Sequence, residues 1–407
     1  MDIDIRPVAL EDYERFVRAV ERAFGHEATA LEMETWRGTF EPERTLAAFD
    51  QDDIVGTTAA FSMELSVPGA QVPLAGVTAV GVSPTHRRRG LLTSMMRRQL
   101  DDVREGGREV IAGLWASEGA IYGRFGYGAA ALTGEIEIER QRTAFARPSP
   151  PGGGMMLVGK ERALELLPPI HDRMLPRQPG MWARPAQWWK ALFADLENWR
   201  EGASHLFFAM HESPDGFDGY VAYRIKSEWE GGNAKGTLRV LELIAENPPA
   251  YTDVWRFCFD VDLITKIEAW PRPVDEPLFH MLLEPRRLNL KTHDGLWIRL
   301  VDVPAALAAR RYSVEGEVVV EVRDSFCPWN EGRFALRGGP DWAECRPTDR
   351  SPGLIADATD LGAAYLGGIR FSVLERAGRV HELEPGALAA ADAMFGWDPL
   401  PWCPRIF

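Results

Sequence analysis

Between Val80 and Leu100 the sequence reads VGVSPTHRRRGLLTSMMRRQL, and no other stretch constrains the fold as tightly. The alternating apolar segment TAVGVS predicts a strand, SPTH with Pro84 predicts a turn, and GLLTSMMRRQLDDVRE carries Leu91, Leu92, Met95, Met96 and Leu100 at helical spacing. Arg87, Arg88 and Arg89 fall at the start of that helix, where cations oppose the helix dipole. An anion bound at the same place removes the conflict. Free N–H groups of a first helical turn, a glycine (Gly90) that lets a ligand approach the backbone, and guanidinium forks together make a cradle for a diphosphate.

At 407 residues the chain exceeds what one ordinary core supports, so two or three domains are expected. IDIRPV reads as a strand, LEDYERFVRAVERAFG as a helix ending at Gly25, and RTLAAFD with IVGTTAAFSMELSV as strands about a turn at Asp52 and Asp53. The proline- and glycine-rich ARPSPPGGG, Ala146 to Gly154, continues neither element and marks a linker. The predicted domains are therefore 1–150, 151–295 and 296–407, each mixing helices and strands, an α/β (α+β) chain. The middle region combines the helical KERALELLPPIHDRMLP and PAQWWKALFADLENWR with strands HLFFAM, GYVAYRI and GTLRVLELIA. The third contains the strand EGEVVVEVRD and a hairpin at NEGRFALRGGPDWAECRPT.

The net charge of −14 disfavours a nucleic-acid partner and suits a cationic small molecule. No apolar run is long enough to cross a bilayer, and the acidic, alternating start MDIDIRPVALEDYERF is unlike a secretory signal, so no membrane partner and a cytoplasmic location are expected. Cys258, Cys327, Cys345 and Cys403 are widely spaced and lack a C-x-x-C pair, so reduced thiols are expected; the eight histidines propose neither triad nor metal site.

The strand, R-x-x-G, helix arrangement resembles the acyl-CoA loop of GNAT acetyltransferases, with Arg87 and Gly90 in the paired positions and Leu92 where glycine or alanine is usual. VSPTHRRRGLLTSMM, followed roughly thirty residues on by LWASEGAIYGRFGYGAA, is similar to the Eis (enhanced intracellular survival) branch of that family. RPVDEPLFHMLLEPRRL, LWIRLVDVPAALAARRY and ECRPTDRSPGLIADATDLGAAYLGG extend the resemblance over nearly the whole chain. It implies tandem GNAT-like domains, the second degenerate and without an R-x-x-G loop, followed by a sterol-carrier-like α/β domain that shapes the pocket and delivers the C-terminus. It also implies a homohexamer.

Transfer of an acetyl group from acetyl-CoA to an amine needs a proton acceptor, an oxyanion donor and a proton donor for the departing thiolate. By resemblance, main-chain groups of Val80, Gly81 and Val82 hold the pantetheine arm between splayed parallel strands. Arg88, Arg89, Gly90, Leu91, Leu92 and Thr93 wrap the pyrophosphate with backbone amides, Arg87 and Arg88 supply charge, and Ser117 and Glu118 border the arm. Tyr122 matches the family's general acid, with Tyr127 its rival in YGRFGYG; a tyrosine, of ordinary pKa about 10, keeps its proton at neutral pH. The carboxylate of the last residue, here Phe407, is the family's proton acceptor. Such a group, at about 3.3 to 3.7 in water, becomes a better base when desolvated. The tail DPLPWCPRIF is stiffened by prolines, and Trp402 can anchor it. The implied substrates are amines of aminoglycoside-like, polyamine or lysine-like cations. Glu27, Glu32, Glu34 and Trp36 are candidates for an acidic and aromatic wall, Glu27 and Trp36 being the named substrate contacts. No metal is expected. Two further readings are an acyl-CoA sensor without turnover and a lipid carrier working through the third domain; Tyr122 together with Phe407 favours catalysis.

Overall fold

The computed structural model describes residues 3–148 and 152–407. The chain divides into two compact units: Met1–Ala131 with Asp294–Pro401 and Phe407, and Leu132–His293 with Trp402–Ile406.

The first unit begins with β1 (Ile3–Pro7), α1 (Tyr13–Phe24), α2 (Ala30–Arg37), β2 (Thr45–Asp50), β3 (Asp53–Val67) and β4 (Ala70–Val82). It continues with α3 (Leu91–Gly106), β5 (Ile111–Trp115), α4 (Gly119–Tyr122) and β6 (Gly128–Ala129). β1 to β4 pair antiparallel in sequence order, and β5 joins β4 in parallel through the α3 crossover. The helical stripe expected from sequence buries Leu91, Met95, Met96 and Leu100, and α1 ends at Gly25, whose φ of 79° lets it cap the helix in the left-handed region.

Leu296–Leu300, expected to open the third domain, instead lies in the first sheet between β5 and β6, with Ile298 opposite both Gly113 and Gly128. The rest of the third region forms a five-stranded sheet ordered Ala343–Pro347, Gly332–Gly338, Gly316–Arg323, Leu354–Asp357, Val380–Glu382. The predicted hairpin is its antiparallel pair Gly332–Gly338 and Ala343–Pro347. The helix Ala358–Ala364 of this region packs on the first sheet so closely that a Cβ on Gly128 would sit 1.9 Å from Thr359 O.

The boundary expected between residues 150 and 151 lies outside the described residues. The compact units part between Ala131 and Leu132, because Leu132–Glu139 pairs antiparallel with Ile264–Arg272 in the second sheet. That sheet is built like the first around one parallel pair, Gly236–Ala245 with Ile264–Arg272, crossed over by the helix Pro248–Asp260. Two differences separate it from its counterpart. Asn247 caps the crossover helix by accepting from Ala250 N, and beyond the last parallel partners, Val240 and Ala269, Arg272 Nη1 donates to Leu243 O at 2.9 Å. The helix end and the strand gap of this unit are thus occupied by its own side chains. Its tail segment is held by Trp402 N donating to Pro179 O at 2.8 Å and by Trp182 Nε1 donating to Arg405 O at 3.2 Å.

Candidate active site

Parallel pairing of β4 with β5 covers only Leu74–Gly76 against Ile111–Gly113. From Val77 onward β4 has no β5 partner. A bulge in β4, with Ala79 at φ 54°, turns the strand further away while Gly81 and Val82 stay paired to Thr57 and Gly56 of β3. Val80, Gly81 and Val82 therefore lie beyond the parallel pairing of β4 with β5.

They run into the loop before α3. Ser83 N donates to Val55 O at 2.8 Å, and the short turn Pro84–His86 follows. His86 Nε2 lies 3.1 Å from Asp50 Oδ2, which ties the loop to β2. Arg88 adopts φ 62° and Gly90 φ 81°, two left-handed residues that lift the chain around the helix axis. No side chain caps α3, whose first helical bond is Ser94 N to Gly90 O, so the N–H groups of Leu91, Leu92 and Thr93 face outward from the first turn. Arg88 and Arg89 are exposed beside them. Arg87 is exposed as well, its Nε donating to Val82 O at 3.3 Å and its Nη2 to Ala23 O at 3.5 Å. Three exposed guanidinium groups thus stand at the start of α3, and main-chain oxygens accept from that of Arg87.

Tyr122 is buried at the end of α4, and its cluster includes Ala75 and Val77 of β4, Met96 of α3 and the partly buried Val80 and Leu92. The predicted cofactor residues Val80 and Leu92 and the predicted acid are thereby brought into one packed group. Burial raises the Tyr122 hydroxyl above its ordinary pKa; a hydrogen bond with Ser117 opposes this and the Glu118 carboxylate adds to it. Ser117 and Glu118 are exposed. Tyr127 stands edge-on to Tyr122 with ring centroids 6.1 Å apart, is fully buried, and is driven further up by desolvation. Both rings are thus buried, Tyr122 at 4% exposure and Tyr127 at 0%.

Phe407 meets β4 where that strand leaves β5. Its main-chain oxygen accepts from Thr78 Oγ1 at 3.5 Å, and a Cβ on Gly76 would lie 3.2 Å from its ring. Sequence reasoning missed Thr78 and Gly76 as partners of the terminus, although a glycine inside a strand pattern is a signal of close approach. Glu27 is exposed on the turn between α1 and α2, and Trp36 is half-buried on α2; neither belongs to the Tyr122 cluster. Glu32 is spent on the capping box with Thr29, and Glu34 pairs with Arg37 at 3.3 Å. Among the described residues no group of three His, Cys, Asp or Glu could hold a metal ion, and the four cysteines are free and buried.

Known proteins bear on this geometry. The acetyltransferase (GNAT) domain family matches residues 4–130, a second family of the same description matches 180–300, and the sterol carrier protein domain family matches 303–404. An N-acetyltransferase of Streptomyces avermitilis is 44% identical over 414 residues, covering 100% of both chains. N-acetyltransferase Eis of Mycobacterium tuberculosis is 36% identical over 85% of this chain and 84% of its own. The crystal structure of Eis1 from Mycobacterium abscessus superposes with a TM-score of 0.86 at 37% identity, covering 99% of this chain and 100% of that one. An open strand pair, an uncapped helix start and a buried tyrosine thus occur in a chain with two GNAT domains and a sterol-carrier-like domain, and the chain belongs to the Eis family of GNAT N-acetyltransferases.

Proposed function

We propose that this N-acetyltransferase moves the acetyl group of acetyl-CoA directly to a primary amine of a small cationic molecule, of aminoglycoside, polyamine or lysine-like type. Tyr122 is the general acid and the Phe407 carboxylate the general base. The observation that carries the reading is the seat of Phe407 on Thr78 and Gly76, at the point where β4 parts from β5.

The residues fit the donor. The outward N–H groups of Leu91, Leu92 and Thr93, with Arg88 and Arg89, offer hydrogen bonds and positive charge to a pyrophosphate. Main-chain groups of Val80, Gly81 and Val82 offer an extended arm the ladder that β5 does not take. The Phe407 carboxylate attracts the substrate ammonium and takes a proton as the amine attacks the thioester carbonyl. Tyr122 then gives its phenolic proton to the departing thiolate, and the raised pKa keeps that proton in place until the charge appears. Glu27 and Trp36 are proposed to line the amine's approach, supported by their position beside α1, whose Ala23 O receives Arg87. Family membership supports a homohexamer in the cytoplasm, and the third domain's part is to shape the first domain and present the terminus rather than to carry lipid.

The test is thiol release from acetyl-CoA over a panel of amines. Polycationic amines should stimulate release and be recovered acetylated. A panel in which no amine raises release above hydrolysis would overturn the reading in favour of a sensor without turnover.

A further inference from the structure

Arg299 is fully buried in the strand Leu296–Leu300, opposite Ala112 of β5. Its Nη2 is hydrogen-bonded to Asp324 Oδ2, and Asp324 is itself fixed by Asn330 Nδ2 at 3.0 Å and by Cys327 N at 2.9 Å. Such an ion pair is weak evidence of stabilisation, because the desolvation of two buried charges can exceed their mutual attraction. Here the compensation is thin: besides Asp324 the guanidinium meets the Cys327 thiol, a weak acceptor, and the Tyr127 hydroxyl is buried without a hydrogen-bond partner among the described residues. A group kept at such expense needs a use beyond folding.

Its position supplies one. The guanidinium lies against Gly126, where a Cβ would sit 2.5 Å from Nη1 and 2.7 Å from Cζ, and Gly126 has φ 82°. That glycine closes the turn after Tyr122: Gly126 N donates to Gly123 O at 3.0 Å and Tyr127 N to Tyr122 O at 3.3 Å. On the other side Thr359 Oγ1 donates to Gly123 O at 3.0 Å, and Ala363 N crowds Gly128. The seven residues Tyr122 to Gly128 are therefore gripped between a buried cation and a helix of the third region.

We propose that Arg299, locked by Asp324, is a positioning residue for Tyr122: its guanidinium braces the Gly126 turn and so fixes the angle at which Tyr127 backs the catalytic ring. The inference rests on the reading of Tyr122 as general acid. It assigns the sterol-carrier-like region, which supplies Asp324 and Thr359, a direct share in aligning the acid.

The experiment is a double-mutant cycle on the full chain with Arg299→Lys, Tyr122→Phe and the double variant, reading kcat and the acetyl-CoA KM. Lysine retains the charge opposite Asp324 but withdraws the guanidinium from Gly126, and a melting curve checks that the variant is folded. A catalytic group displaced slightly costs roughly 10- to 100-fold in rate, so Arg299→Lys should lower kcat by about that factor with KM nearly constant. In the Tyr122→Phe background the same substitution should cost almost nothing, because the group it aligns is gone. Equal losses in both backgrounds, or an unchanged kcat, overturn the positioning role alone. Full turnover by Tyr122→Phe overturns the acid assignment and this inference with it. Asp324→Asn, which leaves Arg299 without its lock, should reproduce the Arg299→Lys pattern; wild-type kcat in a folded Asp324→Asn protein contradicts the proposal.

Discussion

The Thr78 hydroxyl donates to the main-chain oxygen of Phe407 at 3.5 Å, joining residues 329 positions apart. The bond sits two residues past Gly76, the last β4 residue paired with β5. Thr78→Val keeps the shape of the strand and removes the donor. The acceptor is an oxygen of the terminal carboxylate, and a hydrogen bond to a charged group contributes about 1.5–3 kcal/mol; at 3.5 Å the lower end applies, so turnover should fall roughly tenfold with little change in thermal stability. Unchanged kcat would mean that the terminus finds its place without Thr78.

Tyr122→Phe removes the proposed acid and preserves the ring that packs on Val77 and Met96. General acid catalysis contributes roughly 10²- to 10⁴-fold, and kcat should fall within that range while CoA affinity by calorimetry stays close to wild type. Burial raises the hydroxyl's pKa, so the wild-type rate should persist to higher pH than free tyrosine, at about 10, would allow. An alkaline fall below pH 10 that survives Tyr122→Phe belongs to another group.

Arg88 and Arg89 should act on donor binding. Charge-assisted hydrogen bonds contribute about 1.5–3 kcal/mol, so Arg88→Ala should raise the acetyl-CoA KM roughly tenfold or more, less at high salt, with kcat largely retained. Arg87→Ala should behave differently. Its guanidinium serves Val82 O and Ala23 O, so the expected outcome is a loosened loop and a lower melting temperature. Identical profiles for the two variants would contradict the division of roles.

Asp360, on the helix that contacts Gly123 and Gly128, is buried, and desolvation raises its carboxyl to about 6 against the pull of Arg379 at 2.7 Å. An unfolded aspartate titrates near about 3.9, so the folded chain holds an extra proton between those values. The group's stabilising contribution is therefore full below the unfolded value and lost as pH rises through about 6. Asp360→Asn should gain stability relative to wild type as the pH goes from 5 to 8, measured by denaturant melts at each pH. A difference independent of pH would refute the buried, shifted carboxyl.

The parts legible in sequence were those written locally. The turn at Pro84, the apolar stripe of α3 and the YGRFGYG segment each declare themselves within a few residues, and the structure packs Met96 and Leu100 of that stripe with Tyr122, Phe125 and Tyr127. What escaped was set by pairing across long separations. Leu296–Leu300 reads as the first strand of a third domain, yet its partners are Ile111–Trp115 and Gly128–Ala129, and nothing local records that choice. Leu132–Glu139 likewise reads as the end of one domain but pairs with Ile264–Arg272. Arg299 and Asp324 look like surface charges in sequence because burial of a charged pair depends on a partner strand and loop that fold from elsewhere.

The most direct measurement compares kcat of the chain ending at Phe407 with that of a chain extended by two glycines, each carrying the same N-terminal tag. The extension moves the carboxylate away from Thr78 and leaves Tyr122, the α3 loop and CoA binding intact. General base catalysis contributes roughly 10²- to 10⁴-fold, so the account predicts a loss of at least about 100-fold in kcat with an acetyl-CoA KM close to that of the unextended chain. Equal kcat for the two chains would contradict it.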